Sequence, residues 1–438
     1  MIRMTSAVFG VLLLLAAISQ AQEGPEGQFW AQWRGPLNTG VSPTANPPME
    51  WSETENIRWK VEIPGRGFAS PVVWDDRIFV TTAVPVGVVG EEQHEPRGGE
   101  AARGVHQFRV MAIDRDTGRT LWGRVAHEQE PHEAGHEANS TWASSSPLTD
   151  GERVYAYFES FGLYAYDLDG TLIWEKDFGD KRMRNEFGEG STPALFGDTL
   201  VIVWDHLNGD SSIMAVDART GEERWRAPRD EIDTWATPLI LDVDGRPQVI
   251  VPAMERVLSY DLEDGSIVWE SDGLTMNAIP SPVYDNGLVF LMSGFRGNDL
   301  KAIRVADAHG NIDETDAIVW TLDRDTPYVP SPVLSDGILY FLKTNSGILS
   351  ALDAETGVPH YQNQRIPGLS NVFSSPVAAQ GRVYFTGRDG TTVVIRSGEG
   401  FEVLATNTLD DGFDASPALV GDDIYLRGYQ YLYAISER

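Results

Sequence analysis

The residues best equipped for chemistry lie in one short stretch, Pro131-His132-Glu133-Ala134-Gly135-His136. On a helix, His-Glu-x-x-His sets two imidazoles one turn apart on zinc and leaves the glutamate as the general base of a hydrolase. Here Gly135 weakens any helix and no third ligand follows at a family spacing. His132 and His136 are therefore candidate ligands for a metal held by a loop and do not mark a protease centre. His94, His106 and His127 fall nearby in the sequence, which concentrates five of the eight histidines in one region. Asp242-Val243-Asp244-Gly245 hints at calcium and is read as a hairpin turn. The chain has no cysteine, which removes thiolate metal sites, a catalytic thiol, disulfides and a lipid-bearing N-terminal cysteine.

What must position such groups is a repeat. Eight segments end in Ser/Thr-Pro: Phe68 to Pro71, Ser144 to Pro147, Gly190 to Pro193, Trp235 to Pro238, Ile279 to Pro282, Val329 to Pro332, Phe373 to Pro376 and Asp414 to Pro417. From Pro147 the prolines are spaced 46, 45, 44, 50, 44 and 41 residues apart, and the single long interval of 76 holds a Gly/Glu/Arg-rich stretch, Val84 to Gln107, read as an inserted loop. Each unit reads as four strands with an Asp-x-x-x-Gly turn before the last, as at Asp114 to Gly118, Asp217 to Gly221, Asp261 to Gly265 and Asp353 to Gly357. An aromatic follows that turn in most units: Trp122, Trp174, Trp225, Trp269, Trp320 and Tyr361.

A repeated four-stranded unit with a regularly placed tryptophan predicts an all-β, eight-bladed β-propeller, because one small twisted sheet cannot bury both faces by itself. The last unit lacks a fourth strand, and Ile57 to Ile63, which carries Trp59, precedes the first. Donating that strand closes the ring over residues 57–438 and removes the free edge. Residues 22–56, with Trp30, Trp33 and Trp51, read as an aromatic strap on the outside of the ring, since three exposed indoles would leave an apolar patch.

Loops leading into the first strands, and those joining second to third strands, share the funnel face. They supply Arg66, Asn139, Trp142, Asn185, Glu189, Asp233, Trp235, Asn277, Tyr328, Asn371 and Asp414, with Asp205, His206, Arg296, Lys343, Asn345, Arg388, Asp389 and Arg427. Arginine and aromatic groups around a concave centre are what binding hot spots favour. With 34 Lys and Arg against 65 Asp and Glu, the net charge of −31 excludes a general nucleic-acid binder and an anionic-membrane binder. Arg3, the apolar run Val8 to Ile18 and Ser19-Gln20-Ala21 read as a secretory signal cleaved after Ala21, and no later apolar run is long enough to span a bilayer. The mature chain is expected to be soluble in the periplasm or secreted, with neither a membrane span nor a lipid anchor.

The run Ala112 to Trp122, repeated at Asp217 to Trp225 and Asp261 to Trp269, resembles the repeat of the PQQ-like propeller superfamily. That superfamily includes quinoprotein alcohol dehydrogenases and the propeller lipoprotein of the outer-membrane β-barrel assembly machinery. The leader Trp30-Ala31-Gln32-Trp33-Arg34-Gly35-Pro36 is similar to the start of secreted bacterial PQQ-like repeat proteins. The dehydrogenase likeness implies pyrroloquinoline quinone with calcium. The chain departs from it in having no adjacent-cysteine disulfide, and no calcium set matches by motif, so no catalytic residue is carried over. The expected function is an exported, non-catalytic scaffold without a cofactor, gripping a protein or polysaccharide partner on its funnel face. A quinone dehydrogenase and a carbohydrate-binding or carbohydrate-processing propeller are the alternatives.

Overall fold

The computed structural model describes residues 25–94, 104–136 and 138–437. The segment read as a signal lies outside the described residues. Eight antiparallel sheets stand round one axis, and their short first strands, such as Val72–Trp74 and Val377–Ala379, lie side by side at the centre. Numbered in chain order, blade 1 spans residues 72–129, blade 2 148–176, blade 3 194–228, blade 4 239–272, blade 5 283–322, blade 6 333–365 and blade 7 377–408. Blade 8 takes its three inner strands from 418–436 and its outermost strand, Ile57–Glu62, from the other end of the chain. That strand runs antiparallel to Tyr431–Ser436 with Trp59 opposite Ala434, which is the closure the sequence predicts. Blade 1 keeps pairing through Pro85 and His106, so the insertion proper is shorter than 84–107 and begins beyond those residues.

Five blades are held face to face with the next by a tryptophan of the outermost strand. The indole N–H of Trp59 donates to Arg115 O, Trp122 to Leu168 O, Trp174 to Ala218 O, Trp225 to Leu262 O and Trp320 to Ala354 O, at 2.8 to 3.1 Å. In every case the acceptor opens a turn of the next blade, and the ring lies on that turn's glycine. A Cβ on Gly118, Gly170, Gly221, Gly265 or Gly357 would come within 2.5 to 2.8 Å of the indole, and all five have positive φ. Glycine serves here twice, for the left-handed backbone and for the flat seat.

Three blades lack this contact, blade 6 because Tyr361 stands where the others carry tryptophan. Blade 5 replaces its turn with residues 305–317, of which Gly310–Asn311 adds a fifth, parallel strand beside Ile267–Asp272 of blade 4. Trp269 is consequently fully buried and donates within its own blade to Gln248 Oε1 at 3.2 Å. Blade 7 has no tryptophan in Val403–Thr408. Trp51 of the strap takes its place, stacked on Tyr384 and buried in one apolar cluster with Val420 and Ile424 of blade 8.

The strap corrects the sequence reading in its first half, which crosses the axis instead of lying outside. Trp30 exchanges backbone hydrogen bonds with Val73 in the first strand of blade 1, and Thr149 of blade 2 donates to Ala31 O. Arg34, 3% exposed, then reaches the carbonyls of Pro332 and Pro376 at blades 6 and 7, and Ala378 pairs with Gly40 and Ser42. Two conclusions can be checked by denaturation. Gly245→Ala, where a Cβ meets nothing, should cost only the φ strain of about 1 kcal/mol. Gly221→Ala must also displace Trp174 and should cost at least about 2 kcal/mol more. Deleting the chain through Ile63 should expose the edge of Tyr431–Ser436 and cause aggregation. A monomeric truncation that melts like the full chain would contradict the closure.

Candidate functional site

Proline cannot donate, and the residue before it is held extended. Eight such residues meet at the axis, where their amides have no strand partner. The structure pairs them in a closed ring. Ser70 N–H donates to Ser146 Oγ, Ser146 to Thr192, Thr192 to Thr237, Thr237 to Ser281, Ser281 to Ser331, Ser331 to Ser375, Ser375 to Ser416, and Ser416 back to Ser70, all at 2.8 to 3.2 Å. The Ser/Thr preference of the repeat is thus a backbone requirement of each neighbouring blade.

Side chains alternate along a strand, so the residue two before each ring hydroxyl also faces the axis. These are Phe68, Ser144, Gly190, Trp235, Ile279, Val329, Phe373 and Asp414, and all eight line a central cavity of about 410 Å³. Phe187, Phe295, Tyr328, Asn277, Asn139, Glu189 and His136 build its upper wall, and Trp33 of the strap reaches it from the opposite side. The propeller is therefore a one-ended cup, with an aromatic wall, a girdle of hydroxyls and an indole floor.

Of the residues singled out from sequence, Glu189, Trp235, Asn277 and Tyr328 line this cup, as do Asn139 and Asp414. The Trp235 indole donates to Gly188 O at 2.8 Å, Tyr328 stacks on Phe295 at 4.7 Å, and the amide of Asn277 donates to the Tyr328 hydroxyl. The arginines do not line the cavity, although Arg388 also donates to Asn139 Oδ1 at 2.8 Å. Arg388 grips Asp414 through both carboxylate oxygens at 2.7 and 2.9 Å and lies 3.6 Å over Phe373. Arg66 sits over Phe68 and Tyr429, and the exposed Arg296 sits over Phe295. Arg427 departs furthest from the sequence reading, being 1% exposed with its Nη1 donating to Gly428 O, so it is not on an open face. Asp233 is buried against Arg184 at 2.8 Å, and Asn185 is an exposed turn residue with φ 53°.

His132 and His136 are not on a helix and are directed apart. His132 Nε2 contacts Lys181 O at 2.7 Å, whereas the exposed His136 packs on Phe187 at 5.3 Å. Glu133 turns inward and accepts from Met183 N–H at 3.0 Å. No group of three or more His, Asp or Glu among the described residues is placed to hold a metal ion. Trp142, packed on His106 at 4.6 Å, lines a small side cavity that adjoins the cup at Ser144, Gly188 and Glu189.

The small residues Ser144 and Gly190 leave the wall low at blades 2 and 3, and a buried ion cluster stands there. Lys181, 1% exposed, lies 2.8 Å from Glu159 and 3.4 Å from Glu189 with Trp204 beneath it at 5.1 Å. Sequence reading found only Glu189 of the three. Ser145 Oγ donates to Glu159, whose φ is 56°. Burial works against the Lys181 ammonium, but the two carboxylates outweigh it and hold its pKa above the ordinary range. Burial likewise pushes the Glu159 carboxyl up to about 8, opposed by Lys181 and aided by Glu189.

Because the folded pKa of Glu159 lies above the ordinary 4.5, its contribution is fully present below that value and is lost as pH rises toward 8. Glu159→Gln should flatten the decline in stability across that window, measured by urea unfolding at its two ends. Lys181→Met removes the cation between Glu159 and Glu189 and, above pH 8 where both are ionised, should cost about 3–5 kcal/mol.

Comparison with known proteins places this architecture. The family model described as outer membrane protein assembly factor BamB matches residues 49–206 and 209–438. The serine/threonine-protein kinase AfsK of Streptomyces coelicolor is 25% identical over 225 residues, which cover 49% of this chain and 26% of that one, so the match spans about a quarter of the kinase. BamB from Moraxella catarrhalis superposes with a TM-score of 0.53 at 12% identity, over 81% of this chain and 100% of that one. Quinohemoprotein alcohol dehydrogenase from Comamonas testosteroni superposes with a TM-score of 0.61 at 11% identity, over 94% and 81%. At such identities the two structures share the fold, while the family match runs through every blade; this chain belongs to the BamB-like family of PQQ-repeat propellers.

Proposed function

We propose that the protein is an exported binding module whose axial cup grips an extended segment of a protein partner. The observation that carries the reading is the cup itself, one-ended, walled by aromatic rings and lined by hydroxyls. Pockets of this size and character bind small groups with a few placed polar contacts. The family description, an outer-membrane assembly factor, supports a protein partner, and the signal-like leader supports export to the periplasm or beyond. Among the described residues no helix is long and apolar enough to cross a membrane.

The quinone alternative meets a specific objection. Pyrroloquinoline quinone carries three carboxylates, but the described lining of the cup contains Glu189 and Asp414 and neither lysine nor arginine. Arg388, the nearest strong candidate, is already spent on Asp414. The residues present do not fit that cofactor.

Gly190 lines the cup, and a Cβ there would sit 3.5 Å from Trp235, so Gly190→Trp fills the space from a position that accepts a side chain. Peptides selected from a displayed library on the purified protein should lose at least about tenfold in affinity to that variant, equivalent to roughly 1.4 kcal/mol by calorimetry. Supplied with pyrroloquinoline quinone and calcium, the protein should show no dye-linked oxidation of alcohols or sugars. Selected peptides that bind both forms equally, or saturable quinone binding with turnover lost in Gly190→Trp, would overturn the proposal.

A further inference from the structure

Resting on the reading that the cup grips a partner's segment, we infer that the group it takes is an uncharged aromatic side chain bearing a hydrogen-bond acceptor at its tip, the chemistry of a tyrosine phenol.

Charge comes first. The two carboxylates in the cup are already matched, Asp414 by a bidentate contact from Arg388 and Glu189 by Lys181 at 3.4 Å. No lysine or arginine lines the described wall. An incoming anion finds no cation, and an incoming cation finds no unmatched carboxylate. Three of the seven phenylalanine, tyrosine and tryptophan rings that line the cup are also poor hosts for a cation. Arg66, Arg296 and Arg388 stand over Phe68, Phe295 and Phe373 without lining the cavity. A ring whose quadrupole already serves one guanidinium, close to that positive charge, is a poor host for a second. For a neutral ring the same wall offers edge and offset contacts, with Trp33 as the floor.

Hydrogen-bonding capacity then selects among neutral rings. Six hydroxyls of the axial girdle line the cup: Ser70, Ser146, Thr192, Thr237, Ser375 and Ser416. Each oxygen accepts a neighbouring amide N–H. Each retains one O–H, and that proton is given to no acceptor among the described residues. The lower cup therefore presents several donors to whatever descends to it. A phenol oxygen accepts them, whereas a phenylalanine ring offers no strong acceptor, and arginine or lysine would set donor against donor.

The test uses the full protein and small probes, so it does not depend on finding the partner. N-acetyl-tyrosinamide, N-acetyl-phenylalaninamide, N-acetyl-argininamide and methyl glucoside are titrated by ligand-observed NMR. Tyrosinamide should saturate, about fivefold tighter than phenylalaninamide, the worth of roughly one net hydrogen bond. It should lose saturation in Gly190→Trp and weaken in Phe187→Ala, a change at the half-buried rim that leaves the blades intact. Equal binding of phenylalaninamide, or tighter binding of argininamide or the glucoside, would overturn the inference. Selected peptides that occupy the cup through arginine or leucine would sink it while sparing the partner reading. Tyrosinamide binding with no peptide recovered would do the reverse.

Discussion

The structure turns on eight amides that ordinary strand pairing cannot satisfy. At the axis the first strands lie side by side but belong to different sheets, and the residue before each proline presents an N–H toward its neighbour. A buried amide without an acceptor costs more than most single contacts return. One hydroxyl per blade solves the problem for the preceding blade, and the solution closes only when Ser416 finds Ser70. Blade count, the spacing of the prolines and the N-terminal strand that completes blade 8 all serve that closure. A ring of seven or nine units would have to change the angle at every one of these bonds.

On the outside the equivalent role falls to tryptophan on glycine. The two sets differ in kind. The inner ring is polar and unbroken and sets how blades follow one another, while the outer contacts join a broad apolar ring face to one indole hydrogen bond and are not made at every blade. Blade 7 can borrow Trp51 from the strap, and blade 4 can turn Trp269 inward, without disturbing the inner ring. The buried Glu159–Lys181–Glu189 cluster shows what happens where the inner residues are small. Space left by Ser144 and Gly190 is met by charged groups from the loops, and their mutual neutralisation keeps that side of the cup intact.

Much of this was legible from the chain. The Ser/Thr-Pro segments, the Asp-x-x-x-Gly turns and the tryptophans gave blade number, strand order and closure, because each is a local rule repeated often enough to outweigh chance. Six of the residues picked for the funnel line the cup. The cup's other aromatics were also available, since Phe68 and Phe373 head their repeat segments and strand alternation places them on the same side as the ring hydroxyls. What the chain did not disclose depended on contacts distant in sequence. Trp33 and Arg34 belong to no repeat, so nothing local says that they cross the axis. Arg427 resembles any loop arginine until its neighbours bury it, and Lys181 gains its meaning only from Glu159 and Glu189.

The alternation in those eight segments separates two tasks that most binding sites entangle. One position carries the hydrogen bond that holds the ring, and the position two before it faces the cup, where Asp414 and Trp235 are also bonded to Arg388 and to Gly188 O. Phenylalanine, serine, glycine, tryptophan, isoleucine, valine and aspartate all occupy the second kind of position within this one chain. The architecture is therefore a frame with eight variable letters facing one cavity. A descendant could acquire a different ligand by single substitutions there, least costly to folding where the side chain makes no further hydrogen bond, as at Ile279 and Val329, and relatives that share this frame at about one residue in eight have no reason to share what they hold.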